Sequence, residues 1–260
     1  MRLRLFRLIA AALFIIAVPV FLLTTNVRVA ANQTAVYDYS VETYDATTVS
    51  GIPLAELKRA NRELVDYFNN DQRILRIIVK NAEGQEISLF SPRETSHLVD
   101  VKTLFKRVYF IQEMALAYIL AFVLGVVLWA RELSLRSLAS LTLQAGAATV
   151  AVIIAAGIGA ILGFERLWEQ FHFLAFTNDF WQLNPRRDHL IQMFPEEFWF
   201  DISMLIGAVT ILEAMFLGGV AGAYLYATRE DKPALEEDGK ASLIEQRKRR
   251  QPRPARLTNH

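Results

Sequence analysis

The chain has 260 residues, a formal net charge of +1, a hydrophobic content of 53% and a positive mean hydropathy of +0.25. This composition is too apolar for an ordinary soluble domain, and the near-neutral charge gives no reason to expect binding to nucleic acid. The sequence contains no cysteine, which excludes disulfide bonds, thiolate nucleophiles and lipidation of the chain's own cysteines.

The apolar residues are concentrated in four runs, each long enough to cross a bilayer. A hydrocarbon core about 30 Å thick requires roughly 20 apolar residues in a helix, and helices satisfy their own backbone groups in lipid. We therefore predict transmembrane helices over Leu5–Thr24, Val108–Ala130, Leu138–Phe164 and Ile202–Ala227. The predicted fold class is a membrane α-helical protein with four transmembrane helices and a small extracytoplasmic α+β domain between helices 1 and 2.

The predicted organisation follows from these four runs and the polar segments between them. By residue number it is helix 1 in 1–24, the extracytoplasmic α+β domain in 25–107, helices 2 and 3 in 108–164, an extracytoplasmic interfacial loop in 165–201, helix 4 in 202–227 and a disordered basic cytoplasmic tail in 228–260.

The distribution of Lys and Arg predicts the side of the membrane that each segment faces. With four crossings, one side collects Arg2, Arg4, Arg7, Arg131, Arg136, Arg229, Lys232 and Arg247–Arg250. Because an excess of Lys and Arg marks the cytoplasmic side, both termini are predicted to be cytoplasmic. Helix 1 could instead be a signal peptide cleaved near Val29–Ala31, but its apolar run exceeds the ~7–15 residues of a signal core. We interpret it as a retained anchor.

The first outer segment shows mixed local patterns. Ala35–Asp45 has β-forming residues in rough alternation and is predicted to be a strand. Pro53 opens a helix with one apolar face, and Arg73–Ser91 predicts two strands around a turn at Ala82–Gly84. Ser91–Arg107 is predicted to be helical and to run into the second span.

The second outer segment is rich in aromatic residues and is divided into turns. Asn184–Pro185 and Phe194–Pro195 break its backbone. Trp168, Trp181 and Trp199 are typical of the membrane interface, where indole rings are enriched.

His97 and His172 are each placed where an outer segment meets a spanning helix, so both are expected near the same membrane surface. Histidine is the side chain that exchanges protons most readily near neutral pH. On a helix, Arg93, His97 and Asp100 share one face, where Asp100 could orient the imidazole or stabilise its charged form.

Other interpretations of these residues remain open at this point. Each histidine could simply cap a helix or bind a lipid phosphate. A metal site is a second alternative, in which two imidazoles and two carboxylates would come from His97, Asp100, His172 and Asp179. The sequence has no HExxH motif, no GxSxG motif and no phosphate-binding glycine loop.

Glu213 is an ionisable residue near the middle of the fourth run, where a charge is costly. We predict that it is hydrogen-bonded to a neighbour such as Gln144, Thr149 or Thr210 and acts mainly in helix association. The glycines expected to allow close helix contact are Gly157, Gly159, Gly218 and Gly222.

Two stretches carry a family resemblance: RETSHLVDVKTLF, residues 93–105, and FHFLAFTNDFWQLNPRRDHLIQMFPEEFWFD, residues 171–201. They resemble the lipoprotein intramolecular transacylases, called Lit, a bacterial family of four-helix membrane proteins. The resemblance covers most of the chain and implies a multi-pass protein of the bacterial cell membrane with its active site at the outer leaflet. By the same resemblance His97 and His172 match the two catalytic histidines of the family.

The activity implied by the resemblance moves the sn-2 acyl chain of a diacylglyceryl lipoprotein to the amine of its N-terminal cysteine. Conversion of an ester to an amide is downhill, and donor and acceptor share one molecule, so neither a cofactor nor an acyl-enzyme is expected. One histidine would take the proton of the amine and the other would protonate the glycerol oxygen. The supporting residues are expected to be Arg93, Asp100, Lys102, Asn178 and Asp179, with Arg93, Lys102 and Asn178 as candidate oxyanion donors.

The expected partners are therefore a lipoprotein substrate and membrane lipids, without nucleic acid or bound metal. Two other functions remain as alternatives. One is a non-enzymatic accessory or sensor protein that binds a partner through its outer domain. The other is a metal-dependent lipid hydrolase.

Overall fold

The computed structural model describes residues 2–128 and 135–229, and it is mostly helical. In chain order the elements are α1 (Arg2–Ala31), α2 (Thr34–Thr43), α3 (Ala46–Ser50), α4 (Leu54–Asn69), β1 (Ile78–Lys80), β2 (Glu86–Ser88), α5 (Pro92–Leu128), α6 (Leu135–Ala175), α7 (His189–Met193) and α8 (Glu196–Ala227). The predicted tail beyond residue 229 and the link that contains Arg131 lie outside the described residues.

Helices α1, α5, α6 and α8 are long and apolar enough to cross a membrane, in agreement with the four predicted runs. Each is longer than its run. The 37 residues of α5 extend over about 55 Å, well beyond the hydrocarbon core. The start of α5, the end of α6 and the start of α8 therefore lie at one end of the bundle, where α1 leads into α2. We call this the cap end.

The cap end is covered by residues 32–91, which we call the cap segment. Its antiparallel hairpin pairs Val79 with Ile87, as the sequence predicts. The predicted strand at Ala35–Asp45 is wrong, because α2 occupies this stretch. Tyr37, Ser40 and Val41 are buried at helical spacing, and burial on one helical face outweighs the local β propensity.

Contacts of the cap segment with α7 and α8 hold the cap on the bundle. The Ser40 hydroxyl donates to the carbonyl of Met193 at 2.6 Å. The phenols of Tyr39 and Tyr44 both donate to the same Asp201 carboxylate oxygen at 2.6 Å. Burial, reinforced by that hydrogen bond, raises the pKa of the Tyr44 phenol.

Within the bundle, the backbones of α6 and α8 are in close contact at Gly146. A Cβ atom at this position would stand 2.9 Å from the carbonyl oxygen of Ala214 and 3.5 Å from the backbone of Gly218. No side chain fits between the two backbones there, so Gly146 is the position that permits this contact.

Of the four glycines expected at helix contacts, only Gly218 lies at the close approach. A Cβ atom at Gly157 or at Gly222 would meet no heavy atom within 4 Å. At Gly159 it would meet only the Leu167 side chain of its own helix, at 3.6 Å. The prediction for these three positions is wrong, because a small residue in an apolar run faces lipid as readily as it faces a neighbouring helix.

A polar contact joins α1 to α8 inside the apolar region. The amide of Asn26 donates to the Glu213 carboxylate at 2.7 Å and to the Thr210 hydroxyl at 3.1 Å. The predicted partner of Glu213 is therefore corrected to Asn26. Thr149 instead donates to a carbonyl of its own helix, and so does Gln144.

We expect Gly146→Val to lower the thermal stability of the purified protein, because the added side chain would collide with the backbone of α8. Overpacking of this kind costs about 1–3 kcal/mol. Gly157→Val is the matched control, since its side chain would enter open space. A melting temperature that falls equally in both variants would contradict the assigned role of Gly146.

We also expect Asn26→Leu to destabilise the protein by about 1–3 kcal/mol, because the half-buried Glu213 carboxyl loses its hydrogen-bond donor. The double variant Asn26→Leu/Glu213→Leu should recover part of this loss, since neither polar group is then left alone. Thermal unfolding in detergent measures both effects. Unchanged stability of Asn26→Leu would show that the contact is dispensable.

Candidate active site

The start of α5 fixes the register of His97. Ser91 and Glu94 form a capping box: the Ser91 backbone N–H donates to the Glu94 carboxylate at 2.8 Å, and the Glu94 N–H donates to the Ser91 hydroxyl at 3.3 Å. The buried Glu94 carboxylate also accepts the N–H of Leu190 at 2.7 Å, which ties α7 to the same turn. His97 follows one turn later and points into the protein.

His172 lies in the last turn of α6, beyond an interruption in that helix. The backbone at Gly163 is extended (φ 179°, ψ 66°), and the helix resumes with a changed direction. The predicted end of the third span at Phe164 therefore coincides with this kink, while the helix itself continues to Ala175.

A backbone hydrogen bond fixes the tautomer of His172. Its Nδ1 lies 2.7 Å from the carbonyl oxygen of Trp168. A carbonyl oxygen only accepts, so Nδ1 carries the proton. The neutral ring then presents the lone pair of Nε2, which is the form required of a general base.

The structure brings His97 and His172 together. Their ring centroids are 6.0 Å apart and the rings are inclined by 35°. Both residues are buried, with 7% and 6% of their surfaces exposed. Nδ1 of His97 has no hydrogen-bond partner among the described residues. Two imidazoles this close in an apolar setting repel each other if both are charged, so the pair holds one extra proton at most.

Aromatic rings enclose both imidazoles. Trp168 meets His172 edge to face at 4.6 Å, and Trp181 lies at 4.8 Å with a tilt of 31°. Phe176 touches both histidines, at 5.1 Å from His97 and 5.6 Å from His172. These rings exclude water from the pair and restrict its geometry.

The two histidines line an apolar cavity of about 600 Å³, which we call the chamber. Helices α1, α5, α6 and α8 all contribute to its wall, together with the loop before α8. The residues from α1 are Leu23, Thr24 and Val27, and those from α8 include Trp199, Ile202, Ser203 and Ile206. A wall of this composition suits hydrocarbon chains, with the imidazoles among its few polar groups.

Residues 12–199 match the family model described as lipoprotein intramolecular transacylase Lit. The chain belongs to this family of enzymes. Both histidines and the whole chamber wall up to Trp199 fall inside the matched range. The non-enzymatic accessory role considered from the sequence is thereby set aside.

Solved structures of the membrane integral lipoprotein intramolecular transacylase Lit from Bacillus cereus share the fold. An in meso structure matches with a TM-score of 0.70 and 17% identity, covering 84% of this chain and 95% of that chain. Two further structures of that protein carry a histidine replaced by arginine or by alanine. Each matches with a TM-score of 0.66 and 17% identity, covering 84% of this chain and 91% or 93% of theirs. No curated protein matches the chain.

Four of the five predicted supporting residues form a bridge between α5 and the loop that follows α6. Arg93 donates to the backbone carbonyl of Asp179 and pairs with its carboxylate at 3.5 Å. The Asn178 amide donates to the Asp100 carboxylate at 2.9 Å. We call this pair of contacts the bridge.

The expectation that Asp100 orients His97 is not met, because the Asp100 carboxylate is hydrogen-bonded to Asn178. Lys102 points away from the chamber: its ammonium donates to the carbonyl of Gln72 at 2.8 Å and lies 4.0 Å from the centre of the Tyr67 ring. None of the candidate oxyanion donors Arg93, Lys102 and Asn178 is part of the chamber wall.

The metal alternative gains no support from the geometry. Over residues 2–128 and 135–229, no three His, Cys, Asp or Glu side chains are grouped as metal ligands would be. The bridge instead occupies both carboxylates that this alternative required.

The tryptophans were predicted to lie at the membrane interface, and the contact of Trp168 and Trp181 with His172 was not predicted. Trp168 lies one helical turn before His172, and Phe176 lies one turn after it. The i±4 spacing of aromatic residues around a histidine was the available signal.

We expect Asp100→Ala and Asn178→Ala each to lower the transacylase rate, because the bridge holds the loop that carries Trp181 against His172. The double variant should lose little more than either single variant, since the two residues act through one hydrogen bond. Thr103→Ala is the control; this exposed hydroxyl donates to the carbonyl of Val99 in its own helix. Fully additive losses would contradict the shared role.

Proposed function

We propose that this protein moves the sn-2 acyl chain of a diacylglyceryl lipoprotein to the amine of its N-terminal cysteine. The product is an N-acylated lyso-form lipoprotein, and His97 and His172 act as the acid–base pair. The observation that carries the proposal is the convergence of two imidazoles, distant in sequence, in the wall of an apolar chamber.

The proton balance of the reaction fits a pair that exchanges a single proton. The attacking amine releases one proton and the departing glycerol oxygen gains one, so no net proton enters or leaves. His172, with its Nε2 lone pair exposed by the contact to Trp168, is suited to take the proton from the amine. His97 then acts as the donor to the glycerol oxygen. General acid–base catalysis of this type contributes typically ~10²–10⁴-fold.

The chamber supports the positioning part of the mechanism. Attack by the amine on the sn-2 ester closes a ring of roughly eight atoms, and a wall that restrains both acyl chains lowers the entropic cost of reaching that geometry. One substrate molecule supplies both the acyl donor, its ester, and the acceptor, its amine. The enzyme therefore needs no nucleophile of its own. Membrane lipids surround the helices that form the chamber, and the lipidated substrate reaches it through the bilayer.

We further propose that the cap end faces the outside of a bacterial cell membrane, with both termini cytoplasmic. Among the described residues, the opposite end of the bundle carries Arg4, Arg7, Arg136 and Arg229. Each of these arginines lies beside the end of a spanning helix, a position where Lys and Arg mark the cytoplasmic side.

The central test is mass spectrometry of lipoprotein N-termini in cells that express the wild type, His97→Ala or His172→Ala at equal protein levels. We expect both variants to lose the lyso form, because each removes one half of the proton transfer. Gln182→Ala, an exposed polar change in the same loop and outside the chamber wall, should retain it. Full activity of either histidine variant would remove that residue from the mechanism.

The absence of cysteine allows a direct test of orientation. Gln85→Cys at the hairpin turn should react with a membrane-impermeant maleimide in intact cells. Ala227→Cys, at the far end of α8, should react only after the membrane is permeabilised. The opposite labelling pattern would reverse the proposed topology.

A further inference from the structure

A second cavity of about 1000 Å³ lies on the other side of α5 from the chamber. The hairpin region, the first turns of α5 and the loop around Phe180 enclose it. We call it the basic groove and define it by Arg73, Arg76, Ser88, Ser96, Asn178 and Phe180.

The most exposed charged groups of the basic groove are positive. Arg73 and Arg76 are exposed, and neither forms an ion pair with any other described residue. The two carboxylates in the wall keep their charge but are less exposed: Glu94 is buried and accepts from the N–H of Leu190, and the half-buried Asp100 accepts from Asn178. The third arginine of the wall, Arg187, pairs with Asp188. The arginines are therefore the groups left to meet an incoming side chain, and they favour an acidic one.

Neighbouring residues of the same segments line the basic groove and the chamber. His97 faces the chamber, while its neighbour Ser96 faces the groove. Phe176 lies in the chamber wall and Asn178, two residues later, in the groove wall. The bridge runs along this boundary, so a chain leaving the chamber at the histidines emerges beside the groove.

The substrate has to leave the chamber at this point. Its acyl chains belong in the apolar cavity, and its cysteine amine has to reach the imidazoles. The polypeptide that follows the cysteine carries backbone N–H and C=O groups, which are costly to bury without partners. It therefore needs a polar path outward, and the basic groove is the adjacent one.

We infer that the basic groove binds the extended polypeptide segment that follows the lipidated cysteine of the substrate, with a preference for acidic side chains. The inference rests on the proposed transacylase function and adds a substrate preference to it. A phospholipid headgroup would need only the charge of Arg73 and Arg76. A peptide also uses the length of the cavity, which runs from the hairpin to Phe180.

The test uses the purified full chain and three diacylglyceryl lipopeptides. The short lipopeptide has a single residue after the lipidated cysteine. The two long lipopeptides continue for about ten residues after it, roughly 33 Å when extended. One of them has acidic side chains and the other has neutral side chains. The charge-reversal variant is Arg73→Glu/Arg76→Glu. We expect it to raise KM for the acidic long lipopeptide by about tenfold, while kcat and the kinetics of the short lipopeptide stay within about twofold of wild type.

The matched control is Arg62→Glu/Lys80→Glu, which makes the same charge change at exposed positions outside the groove. It should leave the ratio of KM values for long and short substrates unchanged. A photo-crosslinker at Ser88 should capture the acidic long lipopeptide, and one at Arg62 should not. This second readout does not depend on turnover.

The outcomes separate the two proposals. If the wild type fails to convert the short lipopeptide, the proposed function is wrong, and the inference about the groove is wrong with it. If the wild type converts it and the charge-reversal variant affects short and long substrates alike, the groove inference alone is overturned. The same holds if vesicles containing phosphatidylglycerol displace the crosslink at Ser88, since the groove would then be a lipid site.

Discussion

The contact between the first turns of α5 and the end of α6 is the constraint on which the site depends. His97 and His172 are about 75 residues apart in the sequence. They meet only because these two helix ends are held together. The capping box of Ser91 and Glu94 sets where α5 begins, and the bridge ties its outer face to the loop after α6. Both elements act at the polar surface, outside the apolar body of the bundle.

The surroundings of the two imidazoles restrict the protonation states that the pair can adopt. The rings of Phe176, Trp168 and Trp181 pack against the imidazoles and lower the local dielectric constant. The low dielectric limits the positive charge that the two histidines can hold together. A pair limited to one extra proton suits the acid–base role that we propose, in which one proton moves from the amine to the glycerol oxygen. The carbonyl of Trp168 adds direction, because it leaves Nε2 of His172 as the accepting nitrogen.

The body of the bundle is held by a different set of forces. In lipid, apolar surface contributes little to helix association, so close packing and hydrogen bonds matter more. The approach at Gly146 supplies the packing, and Asn26 supplies a hydrogen bond from α1 to α8. Helix α1 also contributes Leu23, Thr24 and Val27 to the chamber, so it is a structural part of the site.

The sequence by itself determined the four spanning helices, the amphipathic α4, the hairpin and the two histidines. These follow from hydropathy, periodicity and residue chemistry, which act locally along the chain. Tertiary structure decided the rest. It made Thr34–Thr43 a helix, because its buried face packs against the loop before α8. It made Asn178 the hydrogen-bond partner of Asp100 and Asn26 the partner of Glu213. It also packed Trp168 and Trp181 against the ring of His172. A side chain's partner depends on which helix ends meet in space, and that information lies in the packing of distant segments and not in the neighbouring residues.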